Sequence, residues 1–323
     1  MQTPPCSALF LLLAVGCAPD NNINILAQAD LFYQEGASAV DILWVVDDSI
    51  SMQNEQEQVA EGFQAFISSL QSKNVDFQLG VTTTDMDLTT PLRGRLIGRP
   101  EVLTPDDDYI SMFEERVLVG IEGSDKERGL QAAASVLLED NLGFVREDAG
   151  LAVIFVSDEN DCSDDNVIPD EAEGVRCYDE PDVRVPVQRY IDDLLELKGE
   201  QRLSVSSIIG PTLSEGCEGS WPGLRYQSVS ERLNGLLGNI CEADYAELMS
   251  QIGERITDPI RTFYLDYAPI EETIEVSVDD EIIDQDVRSG WTYDAEQNTI
   301  NFDGVWVPPF ESSIAVRYDI AGG

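Results

Sequence analysis

The sequence predicts an α/β fold, in which a doubly wound, mostly parallel sheet carries helices on both faces and is followed by a small C-terminal all-β module. Two apolar runs, Val40–Val46 and Leu151–Val156, have the residues expected of strands buried on both faces of a parallel sheet. Between Ala39 and Tyr267, strand-like segments alternate with amphipathic helical segments, as in sheets with crossover helices. Beyond Ala268 the pattern changes to short strand-like runs.

The elements of the predicted α/β domain, residues 39–268, follow from local patterns. Apolar residues at helical spacing predict helices, and alternating or continuous apolar runs predict strands. The Gly- and Pro-containing stretch Leu88–Pro105 predicts a loop excursion. The order after the first strand is helix Ser51–Ser72, strand Val75–Val81, short helix Tyr109–Val117, helix Leu130–Leu138, strand Leu151–Val156, helix Val187–Leu194, strand Leu203–Ile209, helix Tyr245–Ile256 and strand Thr262–Leu265.

Residues 269–323 are assigned to the small β module. Apolar residues alternate over Ile274–Val278, and Asp279-Asp280 supplies a turn. A module of this size buries too little surface to be stable alone, so we expect it to dock on the α/β domain. Its other strand candidates are Trp291–Tyr293, Ile300–Phe302 and Ile314–Tyr318.

The N-terminal residues have the features of an export signal. The apolar run Ala8–Val15 is too short to span a bilayer but suits the hydrophobic region of a signal peptide over residues 1–16. Small residues directly before Cys17 resemble the lipobox of bacterial lipoproteins. We therefore expect a lipid anchor on Cys17, followed by a tether over residues 17–38. An ordinary cleaved signal with an incidental cysteine is the alternative.

The charge balance narrows the classes of function. Lys and Arg number 19 against 62 Asp and Glu, which gives a formal net charge of −43. Binding to nucleic acid is not expected, since it depends on cationic side chains at the phosphates. The absence of histidine from the sequence excludes Ser-His-Asp and Cys-His catalysis and histidine-bound zinc. We expect a protein that is not an enzyme and has no small-molecule substrate.

Four cysteines follow Cys17 in the sequence, and in an exported chain they predict two disulfides. Three pairings are open. The nearest-neighbour pairs are favoured because they close the shortest loops. A metal site built from all four thiolates is disfavoured because the sequence has no Cys-x-x-Cys pair. The favoured disulfides are Cys162–Cys177 and Cys217–Cys241.

Oxygen-bearing side chains follow two of the predicted strands. Asp47, Ser49 and Ser51 occupy alternate positions after the first strand, and Asp158 follows the strand Leu151–Val156. Open α/β sheets bind ligands outside the carboxyl ends of their strands. Hard divalent cations prefer oxygen ligands of this kind. These residues are therefore candidate metal ligands.

The Asp-x-Ser-x-Ser spacing resembles the metal-ion-dependent adhesion site of the von Willebrand factor A domain family, whose Rossmann-like fold would cover about Ala39–Tyr267. Ser124 lies in the loop where that family supplies a threonine, and Asp158 matches its closing aspartate. Residues 154–163 and 207–211 are similar to secreted A-domain lipoproteins of Gram-negative bacteria. That narrower resemblance implies an exported, membrane-anchored protein of the outer membrane, periplasm or cell surface.

The resemblance implies a role for each candidate residue. Ser49, Ser51 and Ser124 would bind the cation directly, and Asp47 and Asp158 would act through water or by orienting the ligands. The cation is expected to be Mg²⁺, with Ca²⁺ or Mn²⁺ as alternatives. A partner protein would supply an acidic residue to the metal, which predicts an adhesion or protein-interaction function. For Ser124, capping of the following helix is the alternative role.

Two other functions are weighed against adhesion. One is a structural envelope scaffold in which the metal only stabilises the fold. The other is a metal-dependent hydrolase that uses Asp47 or Asp158 as nucleophile or base. The hydrolase is disfavoured because the motifs lack histidine, lysine and a phosphate-binding glycine loop.

Two acidic features near these motifs are interpreted as structural. Asp48 is expected to be a solvated neighbour of the site. The acidic stretch Asp158–Asp165 lacks the residue order and the glycine of an EF-hand. We therefore favour an acidic loop fixed by Cys162 over a second, Ca²⁺-binding site.

Overall fold

The part of the chain that the computed structural model describes begins at Ile25. The predictions for the signal segment 1–16 and for lipidation of Cys17 lie outside it. Of the described helices, none is both long enough and apolar enough to cross a membrane. The described residues are 25–34, 39–139, 143–170, 172, 176–199, 202–212, 217, 219–233, 235–257, 261–302, 304–309 and 312–321.

Strands and helices are numbered in chain order. The strands are β1 (Ile25–Tyr33), β2 (Ala39–Val46), β3 (Asp76–Thr83), β4 (Gly150–Ser157), β5 (Leu203–Ile209), β6 (Leu237–Asn239), β7 (Thr262–Tyr264), β8 (Glu275–Val278), β9 (Glu281–Ile283), β10 (Thr292–Asp294), β11 (Thr299–Asn301) and β12 (Ser313–Ala321). The helices are α1 (Gln53–Ser72), α2 (Tyr109–Val117), α3 (Gly129–Ala134), α4 (Arg176–Asp179), α5 (Val187–Lys198), α6 (Leu224–Arg232) and α7 (Ala246–Thr257).

Five strands form a parallel sheet in the order β3-β2-β4-β5-β6. Alternate residues of the central strand β2 enter two different cores, because successive side chains of a strand point to opposite faces. Trp44 packs edge-on against Phe66 of α1 and Phe113 of α2, with ring centroids 5.3 Å apart in both contacts. Leu43 enters the second core, which α3, α5 and α6 cover. This packing fixes the sheet between helices on its two faces.

Two further sheets among the described residues are antiparallel, with strand orders β1-β12-β8-β9 and β10-β11-β7. They show that the predicted fold class, a doubly wound sheet plus a separate C-terminal module, was wrong. β7 was predicted as the last strand of the parallel sheet but pairs antiparallel with β11. Phe263 of β7 is buried in a third core with Ile300 and Phe302, so these apolar contacts place β7 with the C-terminal strands. β6, which was not predicted, occupies the edge beside β5.

Strand β1 lies within the stretch 17–38 that was predicted to be a tether. It pairs along its whole length with β12, antiparallel. The carboxylate of Asp30, which is buried, accepts hydrogen bonds from the Tyr318 hydroxyl at 2.7 Å and from the Asp266 amide at 3.0 Å. The N-terminal strand is thus part of the larger antiparallel sheet.

Both favoured disulfides are confirmed. Cys162–Cys177 joins the loop after β4 to α4, and Cys217–Cys241 joins the segment before α6 to the residues after β6. Because both bridges start in loops near the carboxyl ends of β4 and β5, they fix segments that border the candidate site.

Candidate metal centre

The candidate residues lie where the two central strands of the parallel sheet end. Val46 of β2 and Val156 of β4 are register partners, and the Asp47 amide donates to the Val156 carbonyl at 2.9 Å. Parallel pairing therefore brings Asp47 and Asp158 to the same edge of the sheet.

Asp47 is fully buried and organises the turn between β2 and α1. Its Oδ1 accepts a hydrogen bond from the Ser49 amide at 2.8 Å, and its Oδ2 accepts one from the Ser157 hydroxyl at 2.6 Å. Burial raises the pKa of this carboxyl, and the bonds from Ser157 and Ser49 act in the opposite direction. With one bond to each oxygen, Asp47 orients the loop and links the two strand ends.

Ser49, Ser51 and Asp158 lie beside this turn. The hydroxyl oxygens of Ser49 and Ser51 are 3.3 Å apart, and the Ser51 hydroxyl interacts with the Asp158 carboxyl. Asp158 Oδ1 is buried and has no hydrogen-bond partner among the described residues. Burial, followed by the charge of Asp47, raises the pKa of Asp158 to about 7. Two hydroxyls and one unsatisfied carboxylate oxygen thus meet at the strand ends.

The hydroxyl of Ser124 is engaged with other groups. It donates to Asp87 Oδ2 at 3.1 Å and accepts from the Lys126 amide at 3.2 Å. It does not cap α3 either, because the first amides of that helix bond to Asp161, Ser163 and Tyr226. The Ser124 hydroxyl thus bonds to Asp87 and Lys126 and does not cap α3, and its direct binding of a cation stays a prediction.

Glu127, three residues after Ser124, was missed by sequence analysis. Its side chain is fully buried, and neither carboxylate oxygen has a hydrogen-bond partner in the described part of the chain. Burial raises its pKa well above the usual value, and the charges of Asp47 and Glu159 add to the shift. The sequence signal is weak because Glu127 stands between Lys126 and Arg128, an alternation that normally indicates a solvated surface.

Asp48 was predicted to be a solvated neighbour, and this was wrong. It is buried, and its Oδ1 lacks a hydrogen-bond partner within the described ranges. Burial, then the charges of Asp85 and Asp47, raises the pKa of Asp48 to about 7. The backbone at Gly123 closes over this carboxyl, since a Cβ there would lie 2.3 Å from it.

The acidic stretch after β4 is internally neutralised. Asp161 accepts from the Arg225 guanidinium at 2.9 Å, and Asp164 accepts from that of Arg128 at 2.8 Å. Both aspartates also accept backbone amides, and Cys162 between them is in a disulfide. These contacts favour the interpretation of a structural loop over that of a second Ca²⁺ site.

A cluster of three or more Asp, Glu, Cys or His side chains able to hold a metal ion is not found among the described residues. The set formed by Ser49, Ser51 and Asp158 contains one carboxylate and two hydroxyls, so it is not such a cluster. Oxygen donors of both kinds suit Mg²⁺ and Ca²⁺. Among these residues, Asp158 has the buried oxygen without a hydrogen-bond partner that a cation could contact.

Comparisons with known proteins give similar structures only at low identity. No protein-family profile and no curated protein matches the chain. The pilus adhesin RrgA from Streptococcus pneumoniae is 10% identical with a TM-score of 0.39, over 94% of this chain and 60% of that one. The open form of the pilus adhesin SpaC from Lactobacillus rhamnosus GG is 12% identical with a TM-score of 0.43. The match covers 94% of this chain and 41% of SpaC. The adhesive tip pilin GBS104 from Group B Streptococcus agalactiae is 11% identical with a TM-score of 0.36. The match covers 94% of this chain and 83% of GBS104.

These results correct the family assignment drawn from the sequence. No family profile matches, and the similar structures are described as pilus adhesins and a tip pilin, not as von Willebrand factor A domain proteins. The assignment to that family is therefore withdrawn. The chain spans less than two thirds of RrgA and of SpaC, and all three TM-scores are too low to define a function. The interpretation of the site depends on its own geometry.

The raised pKa values of Asp48 and Asp158 predict how stability depends on pH. In the folded protein both carboxyls have a pKa of about 7, whereas the ordinary pKa of an aspartate is 3.8. Between these values the folded state binds more protons than the unfolded state, so the stability of the cation-free protein is expected to fall as pH rises. Thermal unfolding in a chelator, from about pH 5 to about pH 8, measures this slope.

The matched control for this prediction is Asp158→Asn, which removes one of the titrating groups. It is expected to make the melting temperature fall less steeply with pH than in the wild type. A wild-type melting temperature that stays constant or rises across this range would show that the carboxyls are ionised at no cost.

Proposed function

We propose that this chain is an exported surface protein that binds a partner protein at the edge where β2 and β4 end. We further propose that a divalent cation held by Ser49, Ser51 and Asp158 takes part in that contact. The observation that carries the proposal is the buried, unsatisfied carboxylate of Asp158 beside two hydroxyls, at an edge that also exposes apolar side chains.

A bound cation supplies positive charge to the buried carboxylates and a coordination position for an acidic side chain of the partner. Ser49 and Ser51 contribute hydroxyl oxygens, and Asp158 contributes the unsatisfied carboxylate oxygen. Asp47 holds Ser49 in place through the amide bond at 2.8 Å. In this proposal Ser49, Ser51 and Asp158 donate oxygens to the cation, and Asp47 positions Ser49.

Two large apolar side chains are exposed beside this set. Ile50, between the two serines, is 81% exposed, and Trp221 is 53% exposed. The Trp221 amide donates to the Asp158 carbonyl at 2.7 Å, which fixes this residue next to the site. Gly210 allows the close approach, because a Cβ there would lie 1.9 Å from the Trp221 carbonyl oxygen. Exposed apolar groups at a rigid polar site favour a protein partner over a small solute.

The surface location is proposed from the N-terminal sequence. Cys17 and the preceding apolar run favour a lipid anchor. We expect intact mass spectrometry of the protein from its native membrane to show a diacylated or triacylated Cys17 as the N-terminal residue. A mature chain that begins after Cys17, or that retains residues 1–16, would reject the anchor.

Calorimetric titration with Mg²⁺, Ca²⁺ and Mn²⁺, each alone, tests the cation site. Ser49→Ala and Asp158→Asn are expected to weaken binding by about 10- to 100-fold, because each removes a donor oxygen. Ser68→Ala, the same change at an exposed position of α1, is the control and is expected to bind as the wild type does. Equal affinities in all four proteins, or no binding by the wild type, would reject the site.

The partner contact has its own test, the capture of surface proteins from the native envelope with cation or with chelator. Trp221→Ala and Ile50→Ser are expected to reduce cation-dependent capture while leaving the calorimetric affinity for the cation unchanged. If the cation raises the melting temperature but no capture depends on it, the metal serves the scaffold alone, and the interaction function is wrong.

A further inference from the structure

Glu127 is a buried carboxylate that no neighbouring side chain neutralises. It is 0% exposed, and both of its oxygens lack a hydrogen-bond partner among the residues that the structure describes. A lone buried carboxylate is costly, and folded proteins normally pair it or use it to bind a cation. The position therefore needs either a proton or a cation, and no hydrogen-bond partner for either oxygen is found among the described residues.

The basic residues on either side of Glu127 are directed elsewhere. Lys126 donates to the carbonyls of Asp170 and Ala172 at 3.0 and 3.2 Å. Arg128 donates to Asp164 at 2.8 Å and to Asp87 at 2.6 Å. Their charges are thus committed to other contacts and leave the Glu127 carboxylate uncompensated.

The backbone holds Glu127 at this position. Its carbonyl accepts the Cys162 amide at 2.6 Å, and the next amide, that of Arg128, donates to Thr84 O at 3.0 Å. Cys162 lies in the loop after Asp158 and is fixed by its disulfide to Cys177. The loop that carries Glu127 is therefore tied directly to the loop that carries Asp158.

A second carboxyl group lies near Glu127. The charge of Glu159 adds to the rise in the pKa of Glu127, and Glu159 Oε2 accepts the Tyr178 hydroxyl at 3.2 Å. Two neighbouring carboxylates repel each other unless a proton or a cation lies between or beside them. The same surroundings include Asp47 and Asp158, whose charges act on Glu127.

We propose that Glu127 is a ligand of the cation, in the role that the sequence suggested for Ser124, and this rests on the cation site proposed above. The ligand set becomes Ser49, Ser51, Asp158 and Glu127. It contains two carboxylates and two hydroxyls, a donor set that suits a hard divalent cation.

Glu127→Gln tests this proposal, because the amide keeps the size of the side chain and removes its charge. Calorimetric titration with Mg²⁺, Ca²⁺ and Mn²⁺, each alone, is expected to show affinity at least about tenfold weaker than in the wild type. The melting temperature of the cation-free variant is expected to rise, because the wild-type carboxyl must be buried either charged or with a proton held at neutral pH, and both cost free energy. The increase in melting temperature on adding cation is expected to shrink. These last two changes are opposite in sign, which a mere folding defect does not produce.

Two controls complete the experiment. Ser124→Ala is expected to bind cation as the wild type does, because its hydroxyl serves Asp87. Glu57→Gln removes the same charge at an exposed position of α1 and is expected to leave affinity unchanged.

The failure of this proposal differs from that of the cation site itself. If Ser49→Ala and Asp158→Asn lose affinity while Glu127→Gln keeps it, Glu127 is not a ligand and its pair with Glu159 shares a proton instead. If Ser124→Ala loses affinity and Glu127→Gln does not, the original assignment of Ser124 stands. If the wild type binds none of the three ions, the proposed cation site fails, and this inference with it.

Discussion

The hydrogen bond from the Ser157 hydroxyl to Asp47, at 2.6 Å, joins the ends of the two central strands of the parallel sheet. Its partner bond, from the Ser49 amide to the same carboxylate, sets the turn that leads into α1. Together they hold a charged group in a fully buried position and present Ser49 and Ser51 next to Asp158. The positions of Ser49, Ser51 and Asp158 relative to one another therefore depend on the buried carboxyl of Asp47.

The loop after β4 provides an internal comparison for this edge. Asp161 and Asp164 are as buried as Asp158, yet each has an arginine partner and accepts backbone amides. Both of these carboxyls are thus neutralised by contacts that fix the loop. Asp158 and Glu127 keep oxygens without partners among the described residues. Asp158 thus differs from Asp161 and Asp164 in having an oxygen without a partner, which supports its proposed role as a cation ligand.

The sequence predicted the local elements better than their assembly. Continuous apolar runs identify β2 and β4, because both faces of these strands are buried, and the nearest-neighbour disulfides were predicted from loop length. The sheet that β7 joins depends on contacts of Phe263 with residues far along the chain, which no local pattern records. The edge strand β1 was missed because it reverses the usual alternation: Asp30 is buried, whereas Leu31 and Tyr33 are exposed.

In the candidate site too, the local sequence predicted some residues, and tertiary contacts determined the others. Asp47, Ser49 and Ser51 are recognisable because they are close in sequence and follow a strong strand. Ser124 and Glu127 differ by three positions, and only the tertiary structure shows that Glu127 is buried without a partner and that Ser124 bonds to Asp87. Asp48 was predicted to be solvated and Glu127 was not singled out, because charge in a sequence gives no information about burial. The sequence motifs identified the edge of the parallel sheet where the candidate site lies. Tertiary packing determines which oxygen atoms at that edge have no hydrogen-bond partner.

The most direct test of the central claim is an anomalous difference map from crystals of the protein soaked in Mn²⁺. Mn²⁺ accepts the same oxygen ligands as Mg²⁺ and scatters anomalously, so its position is read without assumptions about the surrounding protein. We predict a single strong peak in contact with Ser49, Ser51 and Asp158. A map with no peak at this edge, or with peaks only at surface carboxylates elsewhere, would contradict the account.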